Sequence, residues 1–137
     1  MSPTAKVIGS FVDSVAGTTR TPAAVAGRLL EEMVELALAS GLSVGAIMEH
    51  VTDSLHNQSL KATSKEGRTV FPSQLLADSS ELAEECADVS IILKDLCHVA
   101  KIDLAPVEAG KWAQFTQKQF RVSPNGTIYA VKPHIQD

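Results

Sequence analysis

No run of apolar residues in this sequence approaches the roughly 18–20 that a membrane-spanning helix requires. Nor does the N-terminus show a basic segment followed by an apolar one, so a secretory leader is not expected. No basic tract stands out, and the formal net charge is −4, which argues against a nucleic-acid or membrane-surface role. Cysteine is nearly absent. Cys86 and Cys97 sit eleven residues apart in one apolar periodic segment, too far along a single helix to bond to each other. A reduced, cytoplasmic chain with packed thiols is the simplest expectation. No cysteine–histidine spacing resembles a zinc site. A glycine-rich phosphate loop ending in Lys-Ser/Thr is also missing, which removes the P-loop class. No internal repeat is evident.

What remains is an ordinary globular balance over 137 residues, 45% hydrophobic and 20% charged, enough for one domain with a modest core. The apolar periodicity is helical almost throughout. Val7, Ile8, Phe11, Val12 and Val15 form a first stripe. Thr21 followed by Pro22 marks a second helix over about 22–40, stopped by Gly41. Ser43 caps a third over about 43–58, with Val44, Ile47, Met48, Val51 and Leu55 on one face. Residues 59–77 are polar and contain Gly67 and Pro72, and they read as a long loop, a length usual for functional or mobile segments. Asp78 or Ser79 caps a fourth helix over about 79–101, striped by Leu82, Val89, Ile92, Leu93, Leu96 and Val99. Asp103 can cap a fifth over about 104–119. Pro124-Asn125-Gly126 between short β-rich runs predicts a hairpin over about 120–132. The expectation is a single all-α domain, a bundle of four to five helices with a small C-terminal hairpin.

Two acidic clusters interrupt this apolar pattern. Glu32 and Glu35, three residues apart, share a face of the second helix, and Glu31 and Glu35 are also neighbours one turn apart. Glu85 and Asp88 repeat the spacing on the fourth, with Glu81 and Asp95 on roughly the same side. Each pair borders the apolar stripe rather than opposing it. Either cluster alone reads as a solvated helix face. Together, on helices that can pack antiparallel, the carboxylates would converge and repel, and a hard cation relieves such repulsion. Oxygen-only ligands with room for water suit Mg²⁺, with Mn²⁺ as a substitute.

The segments "EEMVE", Glu31 to Glu35, and "ECAD", Glu85 to Asp88, resemble the two-part EExxE and ExxD signature of the all-α, MazG-like nucleoside triphosphate pyrophosphatases. The surrounding "LLEEMVELALASG" and "ELAEECADVSIILKDLCHVAKIDL" are similar too, and the resemblance spans about residues 22–118. It implies hydrolysis of a (d)NTP to the monophosphate and pyrophosphate. It also implies Glu32, Glu35, Glu85 and Asp88 as Mg²⁺ ligands, with Glu31 as the remaining motif acid. Dimers or tetramers with sites near subunit interfaces are implied as well. The family often continues with a lysine, which Lys111 matches, then an asparagine and an arginine, where this chain has Phe115 and Lys118. The long 59–78 insertion resembles phage-borne MazZ-type members, which implies dGTP or GTP. The hairpin is not part of the family's common core.

Within that chemistry Glu31 or Glu35 can accept the proton of the attacking water. Lys111, Lys94, Lys65 and Arg68 are candidates for the phosphates, the last two from a loop able to close over substrate. Asn57 and His56 can read a base edge, and Trp112, the only tryptophan, can stack on one, although in an apolar stripe it more often packs. The apolar stripes of so short a chain exceed what one small bundle covers, so self-association is expected. Two other readings fit the same residues: a phosphoribosyl-ATP pyrophosphohydrolase-like enzyme, and a non-catalytic helical oligomerisation or adaptor protein.

Overall fold

The structure, a computed structural model, describes residues 2–131. Five α-helices follow in order: α1 (Ala5–Ala16), α2 (Pro22–Ala39), α3 (Val44–Glu66), α4 (Leu82–Val99) and α5 (Leu104–Phe115). An antiparallel pair, β1 (Phe120–Val122) and β2 (Ile128–Ala130), closes the described chain. The helical architecture with a terminal hairpin is thus the one the periodicity predicts. Lys132, the last residue of the expected hairpin, lies outside the described residues.

The helix starts are set by hydroxyl caps. Thr4, Thr21 and Ser43 each accept from the backbone N–H three residues on, at 3.3, 3.2 and 3.1 Å, satisfying donors that have no partner within the helix. At the end of α2 the Leu42 N–H returns to the Ala37 carbonyl at 3.1 Å, a bond that ends the helix at the predicted place. The α5 start differs from expectation. Asp103 occupies the N-cap position, but its side chain makes no capping hydrogen bond.

The largest departure is α3. Residues 59–66, read from sequence as the first part of a long loop, continue the helix to Glu66. Lys61 and Lys65 therefore sit on a helix, and His56 and Asn57 lie along it rather than at its end. The helix stops at Gly67, whose φ of +68° is left-handed and whose N–H bonds the Thr63 carbonyl. The chain then turns back on α3. Thr63 Oγ1 accepts from the Val70 N–H at 2.9 Å, and buried Ser59 donates to the Val70 carbonyl. A single 3-10 turn, Pro72–Gln74, follows, held by the Gln74 side chain accepting from the Phe71 N–H at 3.0 Å.

Contacts divide the chain into two units, residues 30–85 and residues 1–29 with 86–137. The first contains α3 and its returning strap. In the second, Phe11 of α1 meets Trp112 edge-on at 5.5 Å between centroids and lies 5.8 and 6.0 Å from Phe115 and Phe120, so one aromatic cluster joins α1, α5 and β1. The hairpin turn seats against the residue after α1's exit. A Cβ on Gly126 would fall 3.2 Å from the Arg20 backbone, and the residue's φ is +85°, so only glycine fits there. Arg20 itself is tied to Asp13 at 2.7 Å.

Little apolar surface is buried. Val70 is the one buried hydrophobic side chain among the described residues. Leu30 on α2 is 58% exposed, and Ile92 and Val99 on α4 are 67% and 72% exposed. The faces that periodicity assigns to a core are open in a single chain. The cysteines follow suit. Cys86 is exposed rather than packed, and Cys97 is half-buried.

Candidate functional site

The acidic residues lie where helical spacing needs them. Glu31, Glu32 and Glu35 are within α2, Glu85 and Asp88 within α4. All five are exposed. At 3.6 residues per turn, Glu32 and Glu35 share one side of α2, and Glu85 and Asp88 one side of α4. Each helix thus presents a ready pair of carboxylates. Glu84 and Glu85 also occupy the first turn of α4, where negative charge favours the helix through its dipole irrespective of any ligand. Among the described residues, no three His, Cys, Asp or Glu side chains gather closely enough to hold a metal ion. The described residues offer donors of the right type as one pair on α2 and one pair on α4.

The cationic candidates fall into two kinds. Arg68 is spent on Glu66 at 2.8 Å. Lys65 acts on Asp78, whose carboxyl is held below its ordinary range by the Ser80 N–H at 2.9 Å and the Ser80 hydroxyl, and further by the Lys65 charge. Arg68 thus pairs with a carboxylate of the chain itself, while Lys65 adds only the smallest of the effects on Asp78. Lys111 is exposed on α5. Lys94 lines a cleft of about 580 Å³ with Ser90, His98, Asp103 and Glu108, between the second half of α4 and the start of α5. Ser2 donates to Glu108 at its edge. Ser90, Lys94 and Cys97 form one stripe of α4. Asp88 precedes Ser90 by two residues, about 200° around the helix, and so faces away from the cleft. The cleft does not adjoin the acidic side of α4.

Of the base-binding candidates, Asn57 and His56 are exposed on α3. Trp112 is half-buried and stacked on Phe115 at 5.6 Å with 19° between ring planes, its edge contact to Phe11 completing the cluster. This is the packing role that an apolar stripe favours for tryptophan.

Two arginines stand out beside one tyrosine. Arg28 of α2 and Arg121 of β1 both lie over the ring of Tyr129, their guanidinium carbons 4.9 and 5.0 Å from its centroid. The register pairs Arg121 directly with Tyr129 across the hairpin, which the PNG turn could have signalled. Nothing in the spacing of Arg28 announces that it meets the same ring.

No family model, curated protein or solved structure matches this chain.

Proposed function

We propose that this chain is a metal-dependent nucleoside triphosphate pyrophosphohydrolase that works as a homo-oligomer, a MazG-like enzyme converting a (d)NTP to (d)NMP and pyrophosphate. The observation that carries the reading is the repeat of one device. Each of two long helices, α2 and α4, bears a solvent-facing carboxylate pair at three-residue spacing beside an uncovered apolar face. A merely solvated helix face needs no such placement at the border of an apolar stripe.

In this reading Glu32, Glu35, Glu85 and Asp88 hold Mg²⁺ or Mn²⁺, whose oxygen-ligand chemistry they match. Bound there, the ion would offset the negative charge that builds on the phosphate oxygens during attack. Glu31 or Glu35 accepts the proton of the attacking water. Lys111, Lys65 and Arg68, together with Lys94 on the cleft side of α4, are the candidates for phosphate contact. The two pairs come together when further copies of the chain cover the apolar faces of α2 and α4 and fix the helices. The base preference is proposed as dGTP or GTP on the resemblance to MazZ-type members.

A panel of nucleoside triphosphates and phosphoribosyl-ATP, with pyrophosphate and orthophosphate assayed separately, tests the proposal. Pyrophosphate and monophosphate should appear together, and Glu35→Gln should reduce turnover by at least about a hundredfold, the scale of a lost general base or ligand. Diphosphate and free phosphate as main products, or unchanged turnover in the variant, would reject it. A second reading, a non-catalytic helical oligomer, is favoured by the place of Glu84 and Glu85 in the first turn of α4, where negative charge supports the helix without any ligand. Melting with and without Mn²⁺ separates the two, because an ion bound to the folded state raises the melting temperature.

A further inference from the structure

We infer that Asn125 is a site of spontaneous modification, an asparagine that deamidates when the hairpin turn opens and that the closed turn protects. The chain holds two asparagines, and of these Asn125 is the one followed by glycine. The reaction needs no enzyme. The backbone nitrogen of the following residue gives up its proton and attacks the side-chain amide carbon. A carbon–nitrogen bond forms, the side-chain nitrogen leaves as ammonia, and a five-membered succinimide remains. Water then opens that ring at either carbonyl and leaves aspartate or isoaspartate. Glycine hinders the attack least, because no Cβ stands beside its nitrogen and its backbone moves freely.

In the closed turn both reacting groups are engaged. The Gly126 N–H donates to the Ser123 carbonyl at 2.9 Å, so the nucleophilic nitrogen is held across the turn. Asn125 Oδ1 accepts from the Thr127 N–H at 3.2 Å and from the Thr127 hydroxyl at 2.8 Å, and the Ser123 hydroxyl donates to it as well. Donors on that oxygen polarise the amide and by themselves favour attack. They also fix its orientation, and no succinimide forms until the Gly126 nitrogen is released. Gly126 and Thr127 are both buried. The Gly126 Cα faces the Arg20 backbone so closely that a Cβ there would fall 3.2 Å from it, so releasing the nitrogen means lifting the turn off Arg20. The Ser123 N–H closes the same loop from the other side, bonding the Thr127 carbonyl at 2.9 Å. Opening is therefore a local unfolding event and not a side-chain fluctuation.

The two products differ in consequence. Aspartate offers Thr127 the same acceptor oxygen and leaves the backbone as it was. Isoaspartate routes the main chain through the side-chain carbon and lengthens it by one atom between positions 125 and 126. The turn that sets Phe120 opposite Ala130 and Arg121 opposite Tyr129 then no longer closes in that register. Each opening thus carries a risk of a covalent change that keeps the hairpin open.

The test incubates the full chain at mildly alkaline pH, folded and in guanidinium chloride. Position 125 is read by peptide mass spectrometry with isoaspartate resolved from aspartate. In denaturant we expect both products at position 125, with Asn57, which precedes Gln58, converting more slowly. In the folded chain the conversion of Asn125 should slow by about tenfold or more, a ratio set by how rarely the turn opens. Ser123→Ala removes a hydroxyl from the turn and leaves the carbonyl that holds Gly126. It should speed conversion in the folded chain and not in the denatured one. Equal rates in folded and denatured wild type overturn the inference, as does an unmodified position 125 in the denatured chain. So does a folded Ser123→Ala chain that converts no faster than wild type. Hydrogen exchange of the Gly126 amide in the wild type is the measurement that needs no variant. An amide that exchanges as fast as in the denatured chain shows that the turn does not hold the nitrogen, and it overturns the inference too.

Discussion

Asp78 shows how much a single carboxylate is shaped by its local bonds. Its oxygen accepts from the Ser80 N–H, and Lys65 adds a favourable charge, so its affinity for protons is lowered. A group whose folded pKa is depressed contributes stability above the unfolded value of about 3.9 and loses it as pH falls through the lower folded value. The entry to α4 should therefore hold at mildly acidic pH and loosen only below the ordinary aspartate range. A side-chain NMR titration of Asp78 checks this, and a midpoint at or above the ordinary value would contradict it. The same residue shows what the sequence leaves open about the phosphate candidates on the 59–77 segment. Lysine and arginine in a polar stretch look available to a ligand. In the unliganded chain Arg68 pairs with Glu66 and Lys65 adds a small favourable charge to Asp78, and no local pattern announces which acid a flexible cation meets.

At the scale of elements, some termini were legible and others not: α4, expected from about 79, begins at Leu82, and Asp103 makes no capping bond. Thr21-Pro22, Ser43, Gly41 and Pro124-Asn125-Gly126 act through backbone geometry within a few residues, so they mean the same thing in any context. The end of α3 was not legible in this way. Residues 59–66 carry no apolar stripe, and without one a polar helix and a polar loop look alike. What holds the segment is its own helix-forming residues, a left-handed stop at Gly67, and a strap fastened by Ser59 and Thr63 to Val70. Hydroxyls that bond eleven and seven residues away leave no periodic trace. Gly67→Ala places a Cβ in left-handed backbone and should destabilise the fold by about 1 kcal/mol, measured by chemical denaturation. Loss of less than a few tenths would show that the stop is set elsewhere. The acidic pairs were fully legible as pairs, because i, i+3 spacing needs nothing but a helix. The proposed assembly into one site is not legible, because it depends on what covers α2 and α4.

The whole molecule has one buried apolar side chain among its described residues and a long series of open ones on α2, α3 and α4. Hydrophobic burial is the main favourable contribution to folding, and so little of it among the described residues is what motivates the proposed self-association. No helix among the described residues is long and apolar enough to cross a membrane. Self-association, proposed above, makes stability depend on protomer concentration. A hundredfold dilution should lower the melting temperature by about 5 °C or more. A melting temperature indifferent to dilution would mean that the chain folds alone and that the faces are open for another purpose.

The aromatic cluster gives the protein an uneven optical signature. Its tryptophan, its tyrosine and three of its four phenylalanines belong to the unit made of residues 1–29 and 86–137; the segment 30–85 holds only Phe71. Intrinsic fluorescence and near-ultraviolet ellipticity therefore follow one unit and are almost blind to the other. Far-ultraviolet ellipticity sums the helices of both. The gap between those two signals on heating is a direct count of whether the units come apart in one event or in two.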